Sequence, residues 1–127
     1  MEKIDVKPSF VDARGSITDL ISDSKINSVT IITFSKDAVR GNHYHERTIQ
    51  WNYIIRGEVL LVTQFPGESR YETILKNGDM VITREREHHA LKAITESEVL
   101  IITKGPRAGT KYEQDTFRLE VPLIERI

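Results

Sequence analysis

The chain is 127 residues long, the size of one domain, so we predict a single domain over residues 1–127. Its net charge of −1 argues against the basic stripe of a nucleic-acid-binding protein, and its lack of cysteine excludes disulfides, thiolate metal ligands and thiol nucleophiles. The sequence shows no signal peptide, and no apolar run approaches the roughly 20 residues of a membrane helix. We therefore expect a cytoplasmic protein with neither a nucleic-acid nor a membrane partner.

Short strands dominate the predicted secondary structure. Gly57-Glu58 and Asn77-Gly78 are turn signals that separate apolar, β-branched segments. Segments of this length that recur about every 8–12 residues are typical of an all-β sandwich or barrel. In chain order, the predicted strands cover residues 28–34, 38–45, 50–56, 59–65, 70–76, 80–85, 89–94 and 98–103.

The remaining segments give weaker signals. No stretch has a convincing helical pattern, although residues 24–28 could form one turn. Residues 104–115 are polar and rich in Gly and Pro, so we predict that they leave the barrel and lie on the surface. Residues 116–127 are apolar enough to pack against something, such as a partner subunit, and we therefore expect a homodimer.

The four histidines form two tight pairs, His43 with His45 and His88 with His89. Residues i and i+2 of a strand point to one face, so His43 and His45 would project together, with Tyr44 on the opposite face. Paired imidazoles can bind a divalent transition metal such as Zn, Fe, Mn or Ni. The alternative is that the first pair lies on the surface beside a turn, and the spacing alone leaves both interpretations open.

The surrounding residues resemble the two signatures of the cupin superfamily. The run from Gly41 to Gly57 reads G-N-H-x-H-x4-Q-x6-G, which is similar to Gly-x5-His-x-His-x3–4-Glu-x6-Gly. The segment "GDMVITREREHH" is similar to the second signature, with His89 at the ligand position and His88 pointing away. The resemblance implies a small, single-domain jelly-roll β-barrel. The candidate metal ligands that it implies are His43, His45, Gln50 and His89.

The chain departs from these signatures at several positions. Gln50 replaces the usual Glu, and a neutral carbonyl ligand gives the ion no charge compensation, so we expect weaker binding. The leading Gly-x5 of the first signature and the Pro and Gly of the second are missing. Both a bound metal and a metal-free polar pocket remain open.

A narrower resemblance is to the RmlC-like nucleotide-sugar enzymes, the 3,5-epimerases and the 3,4-ketoisomerases. Their N-terminal Asp-x-Arg-Gly strand is similar to Asp12, Arg14 and Gly15, and the paired histidines of the ketoisomerases match His43 and His45. The "GNHYH" run is also similar to the cupin domain of some capsular-polysaccharide enzymes. The positions that match the epimerases are Arg40, Gly41, His43, Tyr44, Gln50 and Gly57-Glu58-Val59.

This resemblance implies an isomerase or epimerase acting on a nucleotide-linked keto-deoxysugar, without an organic cofactor. A base near neutral pKa can remove the acidified proton beside the sugar carbonyl, and a hydrogen-bond donor can stabilise the enolate. We expect His43 to be the base and His45 its orienting or relaying partner. The expected substrate-binding residues are Arg40 for a phosphate, Gln50 and Asn52 along the pocket wall, and Tyr53 as the enolate donor. Tyr112 is the candidate for the general acid that the epimerases use.

Two other functions remain open. One is a metal-dependent cupin of the oxygenase type that uses the three histidines and Gln50, and the other is a small-ligand-binding cupin without turnover. Gln50 favours the isomerase over the oxygenase, since oxygenases usually have a carboxylate or another His there. His89 favours the metal-dependent cupin, because a sugar isomerase needs no third convergent imidazole.

Overall fold

Two five-stranded antiparallel sheets pack face to face, and a separate two-stranded hairpin precedes most of their strands in the chain. This computed structural model describes residues 1–107 and 109–126. The first sheet has the order β1 (Glu2–Ile4), β9 (Met80–Thr83), β6 (Ile49–Arg56), β11 (Ser97–Lys104), β4 (Ser28–Phe34). The second has the order β12 (Phe117–Arg118), β5 (Val39–Tyr44), β10 (His88–Ala93), β7 (Val59–Gln64), β8 (Tyr71–Leu75). The hairpin is β2 (Phe10–Asp12) with β3 (Gly15–Ile17).

The predicted all-β barrel is confirmed, and each predicted strand from residue 28 to residue 103 is present with ends shifted by at most a few residues. The residue pattern did not predict β1, β2, β3 or β12, although the resemblance around Asp12, Arg14 and Gly15 implied a strand in the region of β2 and β3. They have two or three residues each, too few for an alternating pattern to be recognised.

The interior has an apolar part and a polar part, and β6 shows the division. Its inward side chains alternate as period 2 requires: Ile54 lies in the core, while Asn52 and Gln50 lie further along the same face. Ile54 packs in one cluster with Leu61 of the second sheet. Each such large side chain contributes about 1.5–3 kcal/mol by burial. The apolar part of the interior therefore stabilises the fold, and the polar part is available for a functional site.

The segment that follows β11 differs from its prediction. It contains a short helix, α1 (Gly109–Gln114), where no helix was expected, and Asp115 directly after it is buried. The prediction that residues 104–115 lie on the surface agrees with the exposed Lys104, Thr110 and Glu113, but it does not hold for the buried Asp115. Residues 24–28, which could have formed one turn, contain no helix. Among the described residues, no helix has the length and apolar character needed to cross a membrane.

The C-terminal segment packs against its own barrel. Leu123 and Ile124 are buried in a cluster with Val62 of β7 and Ala90 of β10 on the outer side of the second sheet. The segment therefore packs against something, as expected, but Leu123 and Ile124 cover their own barrel and not a partner subunit. Ala108 and Ile127, which belong to the two predicted C-terminal segments, lie outside the described residues.

Candidate functional site

Three of the four histidines converge inside the barrel. His43 near the end of β5 is the cross-strand partner of His89 on β10, and His45 follows β5 on the same side as His43. The ring centres are 4.8 Å apart for His43 and His45, 4.7 Å for His43 and His89, and 5.4 Å for His45 and His89. His88 points away, and its ring stacks on Tyr44 at 4.8 Å. Strand alternation therefore separates one inward cluster from one outward aromatic stack.

Burial keeps the imidazoles of this cluster uncharged. Desolvation, followed by the nearby charges of the other histidines and of Arg118 and Arg107, lowers the pKa of His43 to about 2. Desolvation also lowers the pKa of His89 to about 4 and that of His45 below its usual value. The sequence expectation of a near-neutral pKa for His43 is therefore wrong, because it did not include the cost of burying a charged ring.

Two backbone carbonyls fix the orientation of the rings. Nδ1 of His45 lies 2.8 Å from the carbonyl oxygen of Asp115, and Nδ1 of His89 lies 3.1 Å from that of Glu87. A carbonyl oxygen only accepts, so in both neutral rings Nδ1 carries the proton and Nε2 keeps its lone pair. Within the described residues, buried Nε2 of His45 and buried Nδ1 of His43 have no hydrogen-bond partner.

The donor set fits a divalent metal ion. One nitrogen from each of His43, His45 and His89 can be chosen so that all three lie within 4.8 Å of one another. Neutral imidazoles with free lone pairs, held by carbonyls on their other nitrogen, are the usual form of metal-binding histidines. Gln50 is buried on β6 of the facing sheet and lines the same cavity, so its amide oxygen is a further candidate ligand.

The approach of β5 to β10 requires the glycine of the "RGNHYH" run. Gly41 has a φ of +89°, and a Cβ atom there would lie 2.8 Å from the backbone oxygen of His89. The next residue, Asn42, has a φ of 58°, a conformation that Asn tolerates better than most residues. This local geometry places His43 directly beside His89.

Asp115 was not predicted as a site residue, yet it holds the loop between β5 and β6. Its buried carboxylate accepts hydrogen bonds from the N–H of Glu46 at 3.1 Å, the N–H of Arg47 at 3.2 Å and the hydroxyl of Thr48 at 2.6 Å. Its own carbonyl accepts the Nδ1–H of His45. One residue therefore positions both the loop and the imidazole.

A cavity of about 520 Å³ opens onto the histidines and is rich in positive charge. His43 and His89 line it, whereas His45 lies behind them and contacts the ring of Tyr112 at 5.4 Å between centres. Glu113 is the one carboxylate among its described lining residues. The arginines that line it are Arg40, Arg107, Arg118 and Arg126.

Three of the four expected substrate-binding residues line the cavity, and one does not. Arg40 lines the cavity beside Phe34, with its guanidinium carbon 5.2 Å from the ring centre. Gln50 and Asn52 also line it, and the Asn52 amide donates to Thr83 Oγ1 at 3.3 Å. Tyr53 points to the opposite face of β6 and does not line the cavity, so its position contradicts the expected role. Positions 50 and 53 of one strand differ by three, so the sequence already indicated that Tyr53 faces away from Gln50.

Tyr112 and three arginines of the cavity lie on segments that sequence patterns did not connect to the histidines. Tyr112 is on α1, and the guanidinium carbon of Arg107 lies 4.2 Å from the centre of its ring. Arg118 belongs to β12, whose pairing with β5 places it opposite His43. Tyr112 had been named only as a candidate acid by resemblance, and no signal had pointed to Arg107, Arg118 or Arg126.

Comparisons with known proteins agree with this fold. The family profile described as "Cupin domain" matches residues 30–103. The structure of QdtA, a sugar 3,4-ketoisomerase from Thermoanaerobacterium thermosaccharolyticum in complex with TDP, superposes with a TM-score of 0.76 at 21% identity, covering 93% of this chain and 87% of that one. No curated protein sequence matches the chain.

Two further structures share the fold. The dTDP-4-dehydrorhamnose 3,5-epimerase from Sulfolobus tokodaii superposes with a TM-score of 0.71 at 16% identity, covering 90% of this chain and 72% of that one. The capsular polysaccharide assembling protein CapF from Staphylococcus aureus superposes with a TM-score of 0.67 at 18% identity, covering 92% of this chain and 35% of that one. At these identities the similarity establishes the fold alone.

Proposed function

This chain belongs to the cupin domain family, and we propose that it is an isomerase or epimerase that acts on a nucleotide-linked keto-deoxysugar. The main support for the proposal is that one cavity contains both neutral imidazoles and several arginines. Neutral imidazoles can exchange protons with a sugar, and an excess of arginines can bind a diphosphate.

The structural neighbours support the substrate class. The ketoisomerase from T. thermosaccharolyticum was solved with TDP and, in another structure, with TDP-4-keto-6-deoxyglucose. Both ligands combine a charged diphosphate with a nucleoside. A cavity with four arginines and one described carboxylate has the complementary charge.

In the proposed reaction His43 removes the proton from the carbon beside the sugar carbonyl and later returns a proton to the sugar. The ring is neutral at physiological pH and can therefore accept it. Two causes of its lowered pKa are the charges of Arg118 and Arg107, which a bound diphosphate would offset. Substrate binding would thus raise the pKa of His43 and strengthen it as a base.

The negative charge that develops on the sugar oxygen needs a donor in the same cavity. The amides of Gln50 and Asn52 and the hydroxyl of Tyr112 belong to residues that line it. Tyr112 replaces Tyr53 in this role and can also return the proton as a general acid. His45, behind His43, is the proposed positioning partner, since its proton on Nδ1 is held by the carbonyl of Asp115.

A transition metal such as Zn, Fe, Mn or Ni would be held by His43, His45 and His89, with Gln50 as a further ligand. When bound, it would polarise a sugar oxygen as a Lewis acid. Three converging imidazoles of lowered pKa favour a second candidate function, a metal-dependent cupin of the oxygenase type. In that case His43 would hold metal and would not act as the base, because one lone pair cannot serve both purposes.

Binding of the nucleotide part can be tested by calorimetric titration with TDP and, separately, with thymidine. We expect TDP to bind at least about 10-fold more tightly, because only TDP offers a diphosphate for bidentate charge-assisted hydrogen bonds. Replacing Arg40 and Arg118 by Gln should lower the TDP affinity about 10- to 100-fold. The matched control is Arg56→Gln, an exposed arginine at the other end of β6. Equal affinities for TDP and thymidine would contradict the proposal.

The reaction itself can be tested by incubation with TDP-4-keto-6-deoxyglucose, followed by NMR of the sugar carbons. A moved carbonyl or an inverted carbon beside it is the expected product. His43→Asn should lower the rate by about 10²–10⁴-fold, the usual contribution of a general base. An unchanged sugar after prolonged incubation with the native protein would contradict the isomerase and favour the second candidate.

We also propose that this protein forms a homodimer.

A further inference from the structure

The turn that joins β9 to β10 contains a buried carboxylate, that of Glu87. The turn covers residues 84–87, and its side chains at positions 84 and 86 are exposed, whereas Glu87 is 1% exposed. Burial of a carboxylate costs free energy unless the group is paired and hydrogen-bonded. Glu87 is not among the described residues that line the cavity, and the proposed reaction does not use it. Its burial therefore requires another explanation.

The turn adopts a backbone conformation that its residues do not favour. The N–H of Glu87 donates to the carbonyl of Arg84 at 3.2 Å, which closes a four-residue turn with Glu85 and Arg86 at its centre. Arg86, the third residue, has a φ of 63°, as in a type II turn, where Gly is usual at this position. A side chain in this region of φ is strained. Contacts from the surrounding structure must therefore stabilise the turn.

The carboxylate of Glu87 supplies these contacts. Its Oε1 accepts the N–H of Arg84 at 2.9 Å, so a second hydrogen bond joins the first and last residues of the turn. Its Oε2 forms an ion pair with the terminal ammonium of Met1. The same ammonium lies 3.4 Å from Thr63 Oγ1, and Thr63 is the cross-strand partner of His89. Both oxygens of the carboxylate are therefore held, next to the strands that carry the histidine cluster.

Two backbone groups of the same turn contact the histidine cluster. The N–H of Arg86 donates to the carbonyl of His45 at 2.6 Å, and the carbonyl of Glu87 accepts the Nδ1–H of His89 at 3.1 Å. Asp115 has the same arrangement, since its carboxylate holds a loop while its carbonyl accepts the Nδ1–H of His45. Each of the two imidazoles that are hydrogen-bonded at Nδ1 thus depends on one residue with a buried carboxylate.

We propose that Glu87 is a positioning residue of the candidate site. Its carboxylate holds the turn of residues 84–87 in a strained conformation, and the turn in turn fixes the Nδ1–H tautomer of His89 and the backbone of His45. The Nε2 lone pair of His89 is then free, as a metal ligand requires. This role concerns the geometry of the cluster and rests on no step of the proposed reaction.

Side-chain ¹H–¹⁵N NMR of metal-free protein tests this role. The native protein should show Nδ1–H for His89. Glu87→Gln leaves one accepting oxygen for two partners, so we expect a mixture of the Nδ1–H and Nε2–H tautomers. The matched control is Glu85→Gln, which removes a carboxylate from the centre of the same turn and should leave the tautomer unchanged. A native His89 tautomer in Glu87→Gln would overturn the proposal.

A second substitution distinguishes the positioning role from a general loss of structure. Glycine adopts a φ of 63° without strain, so the addition of Arg86→Gly to Glu87→Gln should restore the Nδ1–H tautomer of His89. The Zn²⁺ affinity should be about 10- to 100-fold lower in Glu87→Gln than in the native protein, and close to the native value in the double variant. A folded double variant that keeps the tautomer mixture would overturn the proposal, because Glu87 would then not act through the turn. If Glu87→Gln alone did not fold, the double variant would decide by the same criterion. No sugar is present in these measurements, so an inactive enzyme would leave their result unaffected.

Discussion

Replacing Asp115 by Asn tests how one buried carboxylate positions the candidate site. The carboxylate accepts three hydrogen bonds from the loop of residues 46–48, and charge-assisted bonds of this kind contribute about 1.5–3 kcal/mol each. An Asn side chain has one accepting oxygen, so at least one buried donor would face its NH₂ group. Leaving one donor unsatisfied costs about 1–3 kcal/mol. We therefore expect the free energy of unfolding to fall by about 3 kcal/mol.

The substitution should also loosen His45, because the hydrogen bonds of the carboxylate to residues 46–48 hold in place the backbone carbonyl of residue 115 that accepts the Nδ1–H of His45. Side-chain ¹H–¹⁵N NMR distinguishes the two neutral tautomers. The native protein should show Nδ1–H for His45, and Asp115→Asn should show a mixture with Nε2–H. Loss of an orienting partner should lower Zn²⁺ affinity about 10- to 100-fold.

The matched control for this substitution is Glu120→Gln, which removes an exposed carboxylate from the same C-terminal segment. It should change neither the urea-unfolding midpoint nor the tautomer. If Asp115→Asn retained native stability and the native His45 tautomer, the reasoning about this loop would be refuted.

Three further perturbations have expected outcomes. Gly41→Ala should destabilise the protein by at least about 2 kcal/mol more than Gly67→Ala, measured by urea unfolding, since both have positive φ but only Gly41 faces a backbone oxygen at 2.8 Å. Burial lowers the pKa of His89 to about 4, so the folded protein favours the neutral ring. The contribution of the neutral ring to the free energy of unfolding is therefore complete above pH 6.5 and is lost as pH falls towards 4. In metal-free protein the free energy of unfolding should therefore be about 2 kcal/mol lower at pH 5 than above pH 6.5. His89→Gln should remove that part of the pH dependence of stability. Asn42→Ala should destabilise the protein by about 2–4 kcal/mol, because the Asn42 side chain binds the backbone of Leu123 and Ile124, and Asn77→Ala is the exposed control. An Asn42 variant as stable as the control would argue against that anchoring role.

The strands and the inward histidines could be predicted from sequence because both depend on local periodicity. His43 and His45 differ by two positions and share a face. The resemblance to the second cupin signature indicated that His89, and not His88, points inwards, as the structure has it. The same periodicity assigns Tyr53 to the opposite face from Gln50.

The rest of the site depends on long-range packing that no local pattern reports. Asp115 meets His45 across a separation of 70 residues, through an irregular segment rich in Gly and polar residues. Arg118 enters the cavity because a two-residue strand pairs with β5. The lowered pKa of His43 arises from burial, which exists only in the folded barrel. Composition also could not show that the C-terminal segment covers its own sheet.

The proposed function is tested most directly by proton exchange in heavy water. The native protein is incubated with TDP-4-keto-6-deoxyglucose before and after treatment with a chelator, and deuterium at the carbon beside the carbonyl is measured by NMR. If His43 is the base, deuterium should enter that carbon in both samples, and His43→Asn should slow its entry by about 10²–10⁴-fold. The absence of exchange in native protein that carries a stoichiometric transition metal would contradict the proton-transfer function and favour the metal-dependent cupin.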